Sequence, residues 1–159
     1  MTEVRFYHLT ARTLEQTLPV LLERTLQRGW RAVVCVGSEE RVETLAGHLW
    51  TWSKEGFLPH GTKRDGFAEE QPVWITDQVE NPNRAQVLFL GDGADSDGAI
   101  ADGGLAFETV CDLFDGNDPD AVQAARGRWK SRREAGHALV YYQQDEAGAW
   151  SEKQRVPAG

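Results

Sequence analysis

The chain has 159 residues, 40% hydrophobic and 26% charged, with a net charge of −8 and a pI near 5.0. That length and balance fit one globular domain with a real core and exclude a disordered chain. The acidity excludes a surface that grips nucleic acid over a broad basic footprint, while leaving room for a local basic patch.

No apolar run approaches the roughly 20 residues that span a bilayer. The first residues, MTEVRFYHLT, lack a charged-then-apolar leader pattern, so the expected location is the cytoplasm and no membrane partner is expected. Cys35 and Cys111 both fall in apolar, strand-like runs and read as buried, reduced thiols. His8, His48, His60 and His137 show no metal-ligand spacing, so no metal and no cofactor is expected.

In chain order, Val4–Leu9 reads as a short strand rich in β-branched and aromatic residues. Leu14, Leu18, Leu21, Leu22 and Thr25 then recur at helical spacing over Thr13–Arg28. Thr13 and Gln16 form a capping box, and Gly29 suits the stop. Pro19 marks either a kink or a helix start near Thr17. Arg31–Gly37 is an almost continuous apolar run, as in a strand buried on both faces. Ser38 caps the next helix, whose inner stripe is Val42, Leu45, Leu49 and Trp52. Lys54–Gln71 is loop-like, with Phe57 and Phe67 reading as exposed aromatics. Pro72–Thr76 and Gln86–Leu90 are short strands. The acidic, glycine-rich segment from Gly91 to Gly104 is turn-like. Phe107–Phe114 reads as a strand, with helix as the competing reading, and Ala138–Gln143 as the last strand. Residues 1–144 make the domain, and 145–159 a polar tail expected to fray. The fold class is α/β, a single mostly parallel sheet flanked by helices.

Most familiar site chemistry is missing. After the second strand the sequence is GSEERVE, which has no phosphate-loop lysine, and no GxGxxG follows the first strand. In the acidic segment, Asp95, Asp97 and Gly98 can be placed as in a calcium loop. Gly93 and Gly104 then occupy the two positions that most need an acid. No GxSxG elbow is present. A nucleotide-dependent enzyme and a direct single-stranded nucleic-acid binder stand as alternative readings of the chain; the first lacks a phosphate loop, the second a basic surface.

One stretch concentrates positive charge. Between Arg126 and Arg133 lie Arg126, Arg128, Lys130, Arg132 and Arg133, with Trp129 among them. Asp118 is a good N-cap, Pro119 fits the first helical position and Gly136 fits the stop, so a helix is expected over about Pro119–Ala135. On it, Arg126, Lys130 and Arg133 share one stripe beside an apolar stripe of Val122, Ala125 and Trp129. Arg128 and Arg132 are expected on the far side. A cationic rank beside an apolar groove suits a peptide that carries a carboxylate and an apolar side chain. Ordinary solvated charges around a core tryptophan are the competing reading.

Ala125-Arg126-Gly127-Arg128-Trp129-Lys130, continuing to Arg133 and Ala135-Gly136, resembles the signature helix of the chi subunit family of bacterial DNA polymerase III. Phe6-Tyr7, Leu49-Trp50, the run Gly56-Phe57-Leu58-Pro59-His60 and the strand ending in Phe114 follow the same family order. The resemblance implies an α/β fold related to mononucleotide-binding folds, without nucleotide chemistry. It implies a non-catalytic accessory subunit of the clamp-loader assembly that binds the acidic C-terminal tail of single-stranded-DNA-binding protein, ending in phenylalanine, rather than DNA itself. Arg126 would take the terminal carboxylate or tail acids and Lys130 would support it. Trp129, where the family often has tyrosine, would wall the phenylalanine pocket, and Arg133 would meet upstream acids. A second surface, Trp50, Phe57, Leu58 and Pro59, would meet a psi-type clamp-loader subunit or a helicase partner, with core packing as the competing role for Trp50. Residues 63–83 and 91–104 depart from the family pattern.

Overall fold

A computed structural model describes residues 2–52, 58–94 and 107–159. Among these, seven strands form one sheet: β1 (Glu3–Leu9), β2 (Ala32–Cys35), β3 (Val73–Thr76), β4 (Val87–Leu90), β5 (Thr109–Asp115), β6 (Ala138–Gln144) and β7 (Trp150–Val156). Their order is β3-β2-β4-β5-β1-β6-β7, parallel throughout except for the antiparallel β6–β7 pair. The segment Phe107–Phe114 is thus strand rather than helix. Three helices, α1 (Leu14–Gln27), α2 (Glu39–Thr51) and α3 (Pro119–Glu134), flank the sheet. The expected mostly parallel α/β architecture is the one observed.

The helix signals act as expected. Thr13 accepts from the Gln16 N–H, and the Gln16 side chain accepts from the Thr13 N–H. Helix α1 starts at Leu14 and runs through Pro19, which has no N–H to offer the Glu15 carbonyl. It persists because Leu18, Leu21, Leu22 and Thr25 are buried against the sheet, and each large apolar side chain so placed contributes about 1.5–3 kcal/mol. Ser38 caps α2, which buries Val42, Leu45, Ala46 and Leu49.

Alternation along β1 separates the two cores. Tyr7 and Leu9 join α1 and α2 on one face, while Val4 and Phe6 join Ala125 of α3 on the other. Neighbouring strands β5 and β1 therefore send their following helices to opposite faces, and a crevice opens between their C-terminal ends.

One expectation meets a correction. The tail does not fray: residues 150–156 pair with β6, Trp150 packs edge-on to Tyr7 at 5.1 Å, and Val156 packs on the second core. The loop before β3 is ordered from Leu58 onward. The Gly61 N–H donates to Val73, and the Ile75 N–H donates to Gly61, so this segment covers the outer edge of β3. Phe67 stands exposed as expected, whereas Phe57 and residues 95–104 of the acidic segment lie outside the described residues.

Candidate functional site

Helix α3 begins where the sequence places it. Asp118 accepts from the Asp120 N–H, Pro119 occupies the first turn, and Gly136 at φ +87° ends the helix in a conformation that other residues adopt at a cost. Ala125 is buried on the sheet, with Val122 and Trp129 packed beside it. Arg126, Lys130 and Arg133 are all exposed. The cationic rank is therefore real, and no salt bridge ties any of its three members to a carboxylate among the described residues.

Arg128 and Arg132 are not on the far side. Arg128 turns under the helix and grips Asp112 of β5 with both arms, Nε to Oδ2 at 2.6 Å and Nη2 to Oδ1 at 3.0 Å. Arg132 is buried. Burial pushes the Asp112 carboxyl up from its ordinary value, and the nearby Arg128 and Arg132 charges oppose that push. Angles around a helix fix the spacing between side chains but not which angle meets the sheet. The missed signal was Asp112 itself, an acid inside the apolar run TVCDLF, which needs a buried cation as partner.

Beside the cationic rank lies an aromatic cluster. Trp129 contacts Phe6 edge-on at 5.3 Å and Tyr141 of β6 at 5.7 Å. Tyr141 lies 6.1 Å from Phe114, and its hydroxyl is 2.6 Å from His8 Nδ1. His8 in turn stands edge-on to Phe114 at 5.1 Å. Trp129, Tyr141 and His8 are each only half-buried, so the cluster forms an apolar floor open to solvent. Burial lowers the His8 imidazole below its ordinary value, and the charge of Arg126 adds to the effect. Burial raises the Tyr141 phenol, which the same arginine opposes. Gly116 permits the packing: a Cβ there would fall 2.0 Å from His8 Cδ2. Opposite the Tyr141–Tyr142 step, β7 carries one extra residue, Lys153, a bulge that re-aims this part of the sheet edge.

The second expected surface is divided. Trp50 is 59% exposed at the end of α2 and lies 4.8 Å from the His60 ring, which decides against core packing for it. Pro59 is half-buried, whereas Leu58 is 4% exposed and belongs to the core on the α1–α2 face.

Comparison with known proteins gives the chain a family. A family model described as DNA polymerase III chi subunit, HolC, matches residues 1–140. The chain belongs to the DNA polymerase III chi subunit family. A probable chi subunit of Rickettsia prowazekii is 32% identical over 90 residues, covering 57% of this chain and 54% of that protein. A chi subunit of Pseudomonas aeruginosa is 26% identical over 142 residues, covering 87% of this chain and 94% of the other. The C-terminal domain of the DEAD-box protein Dbp5 superposes with a TM-score of 0.50 at 17% identity, over 88% of this chain and 90% of that one, a likeness of fold alone.

In this chi-family chain the crevice between β1 and β5 has a volume of about 680 Å³. Glu15, Asp92, Asp115, Asp118 and Asp120 line it, and Arg41 is already held by Glu15 and Asp92. Acids at the starts of both α1 and α3 work against a bound phosphate there. The two thiols are buried, and burial raises Cys35 to about 11 and Cys111 to about 12, out of the range of reactive cysteines. Among the described residues no acid, histidine and cysteine group is arranged to hold a metal, and no helix is long and apolar enough to cross a membrane.

Proposed function

We propose that this chi-family chain is a non-catalytic adaptor of the DNA polymerase III assembly that binds the acidic C-terminal tail of single-stranded-DNA-binding protein along α3. The observation that carries the reading is the pairing of three exposed cations, Arg126, Lys130 and Arg133, with the open aromatic floor of Trp129, Tyr141 and His8. Arg126, whose charge is felt at both His8 and Tyr141, forks the terminal carboxylate. The terminal phenylalanine ring lies on the floor beneath it, where edge-on and offset contacts to tyrosine and tryptophan are favourable. Lys130 and Arg133 meet upstream acids. The second surface, which the family resemblance assigns to Trp50, Phe57, Leu58 and Pro59, meets a psi-type clamp-loader subunit or a helicase partner.

The test is a titration with a fluorescent acidic peptide ending in phenylalanine, beside bare single-stranded DNA and ATP. Binding of the peptide alone is expected. Arg126→Ala should weaken it about tenfold or more, the loss of one charge-assisted contact. Arg64→Ala is the proper same-charge control, because Arg64 is exposed and far from α3, whereas Arg128 is tied to Asp112. An unchanged affinity in Arg126→Ala would rule out this mode of binding.

A further inference from the structure

On the α1–α2 face, at the opposite end of the sheet from the crevice, a second cavity of about 210 Å³ lies between the last turn of α1 and strands β1, β4 and β5. Three arginines line it, Arg5 from β1 and Arg24 and Arg28 from α1, together with Trp30 and Tyr7. None of its lining residues is acidic, in a chain whose net charge is −8. Arg28 sits 3.8 Å from the centre of the Trp30 ring, an arrangement that holds the guanidinium in place. Neither Arg24 nor Arg28 has a carboxylate partner among the described residues.

The helix dipole accounts for cations in the last turn of α1. It does not account for Arg5, which stands on the sheet in line with Tyr7 and Leu9, both of which are buried. Arg5 has one carboxylate neighbour, Glu3 at 3.3 Å, and Glu3 is shared with Arg155 at 3.8 Å. The Nε of Arg5 is enclosed by the protein, so what Arg5 brings to the cavity wall is the fixed charge of its guanidinium. The remaining wall is mixed: Leu21, Val87 and Phe89 are apolar, while Thr25, Thr109 and Cys111 add two hydroxyls and a thiol. The volume falls below the range of about 300–1,000 Å³ that takes whole cofactors, so it suits a single ring or short chain.

We propose that this cavity binds a small organic oxyanion, a carboxylate or phosphate monoester joined to one ring or short aliphatic group. The guanidiniums of Arg5, Arg24 and Arg28 converge on the oxyanion, and Trp30 and the apolar part of the wall receive the rest. The site is separate from α3 and does not depend on tail binding.

The test uses benzoate and phenyl phosphate as probes, with benzyl alcohol as the neutral counterpart and inorganic phosphate as the bare anion. The readout is the indole N–H resonance of Trp30, assigned with Trp30→Phe. Both organic anions should shift it saturably, with dissociation constants near ~1 mM, and benzyl alcohol should not. Arg24→Gln with Arg28→Gln should weaken the anions about tenfold or more, while Arg126→Ala leaves them unchanged. Both replaced residues are exposed and glutamine keeps the helix propensity, so the double variant should stay folded, melting only slightly below the parent as the helix-end charges and the Trp30 stacking are lost. No saturable shift, an equal shift with benzyl alcohol, or an unchanged titration in the double variant would overturn the proposal. Inorganic phosphate binding as tightly as phenyl phosphate would remove the organic part of it.

Discussion

Asp112 sits in the middle of β5 with almost no access to water, so its charge has to be met by the helix lying over it. Arg128 meets it with two hydrogen bonds, and this fixes which arginines of α3 remain for a ligand. Removing one partner leaves the other charged and buried. Arg128→Ala is therefore expected to cost about 3–5 kcal/mol in urea unfolding, while Arg128→Met with Asp112→Leu should recover most of it. A stability unchanged in Arg128→Ala would mean that Arg132 alone balances the carboxylate. Two histidines near the same helix tie stability to pH. Burial lowers both His8 and His137 below the ordinary imidazole value, and Arg126 and Arg132 add repulsion. An unfolded chain then binds more protons than the folded one below about pH 6.5, so stability rises with pH across that window and is lost as the pH falls through it. Urea midpoints should drop between pH 7.5 and pH 5.5, and His8→Gln should drop less than the parent.

At the level of elements, α3 and the turn before it form one device. The β5–α3 turn brings Gly116 against the His8 ring, which sets the imidazole beneath Tyr141. Gly116→Ala would meet both the His8 ring and the Leu9 carbonyl, so it should shift the β5–α3 turn together with the ring and weaken the acidic peptide severalfold while the helix content by circular dichroism stays unchanged. Equal affinity would show that His8 is not part of the floor. The caps of α1, α2 and α3 were legible because Thr13, Ser38 and Asp118 act within one turn of themselves, where sequence is geometry. The exposed rank of α3 was legible for the same reason. His8 and Tyr141 were not: they lie 133 positions apart, and only the parallel pairing of β1 with β6 brings them together. Arg128 was misplaced because its partner is on another strand. The cavity at Arg5 escaped because its three arginines sit on two elements that no local pattern connects.

For the whole molecule the sheet edges matter most. At one edge, β3 is covered by the segment around Gly61. At the other, β7 carries Glu152, Lys153 and Arg155 along an exposed strand, the charged kind of edge that resists pairing with another chain. Beneath it, β6 offers seven residues of backbone and the tyrosines of both faces. Strand β7 therefore shields an edge that would otherwise pair, and it holds Tyr141 of the candidate site through the Gln154 register. Ending the chain after Gln144 removes Trp150 from Tyr7 and Val156 from the second core. Both side chains are half-buried, so their burial together is worth about 1.5–3 kcal/mol, before the lost ladder is counted. The shortened chain should show a lower urea midpoint, weaker binding of the acidic peptide, and self-association that grows with concentration in sedimentation velocity. A monomer of unchanged stability would show instead that β7 is an ornament of the sheet, and that β6 is a safe edge without it.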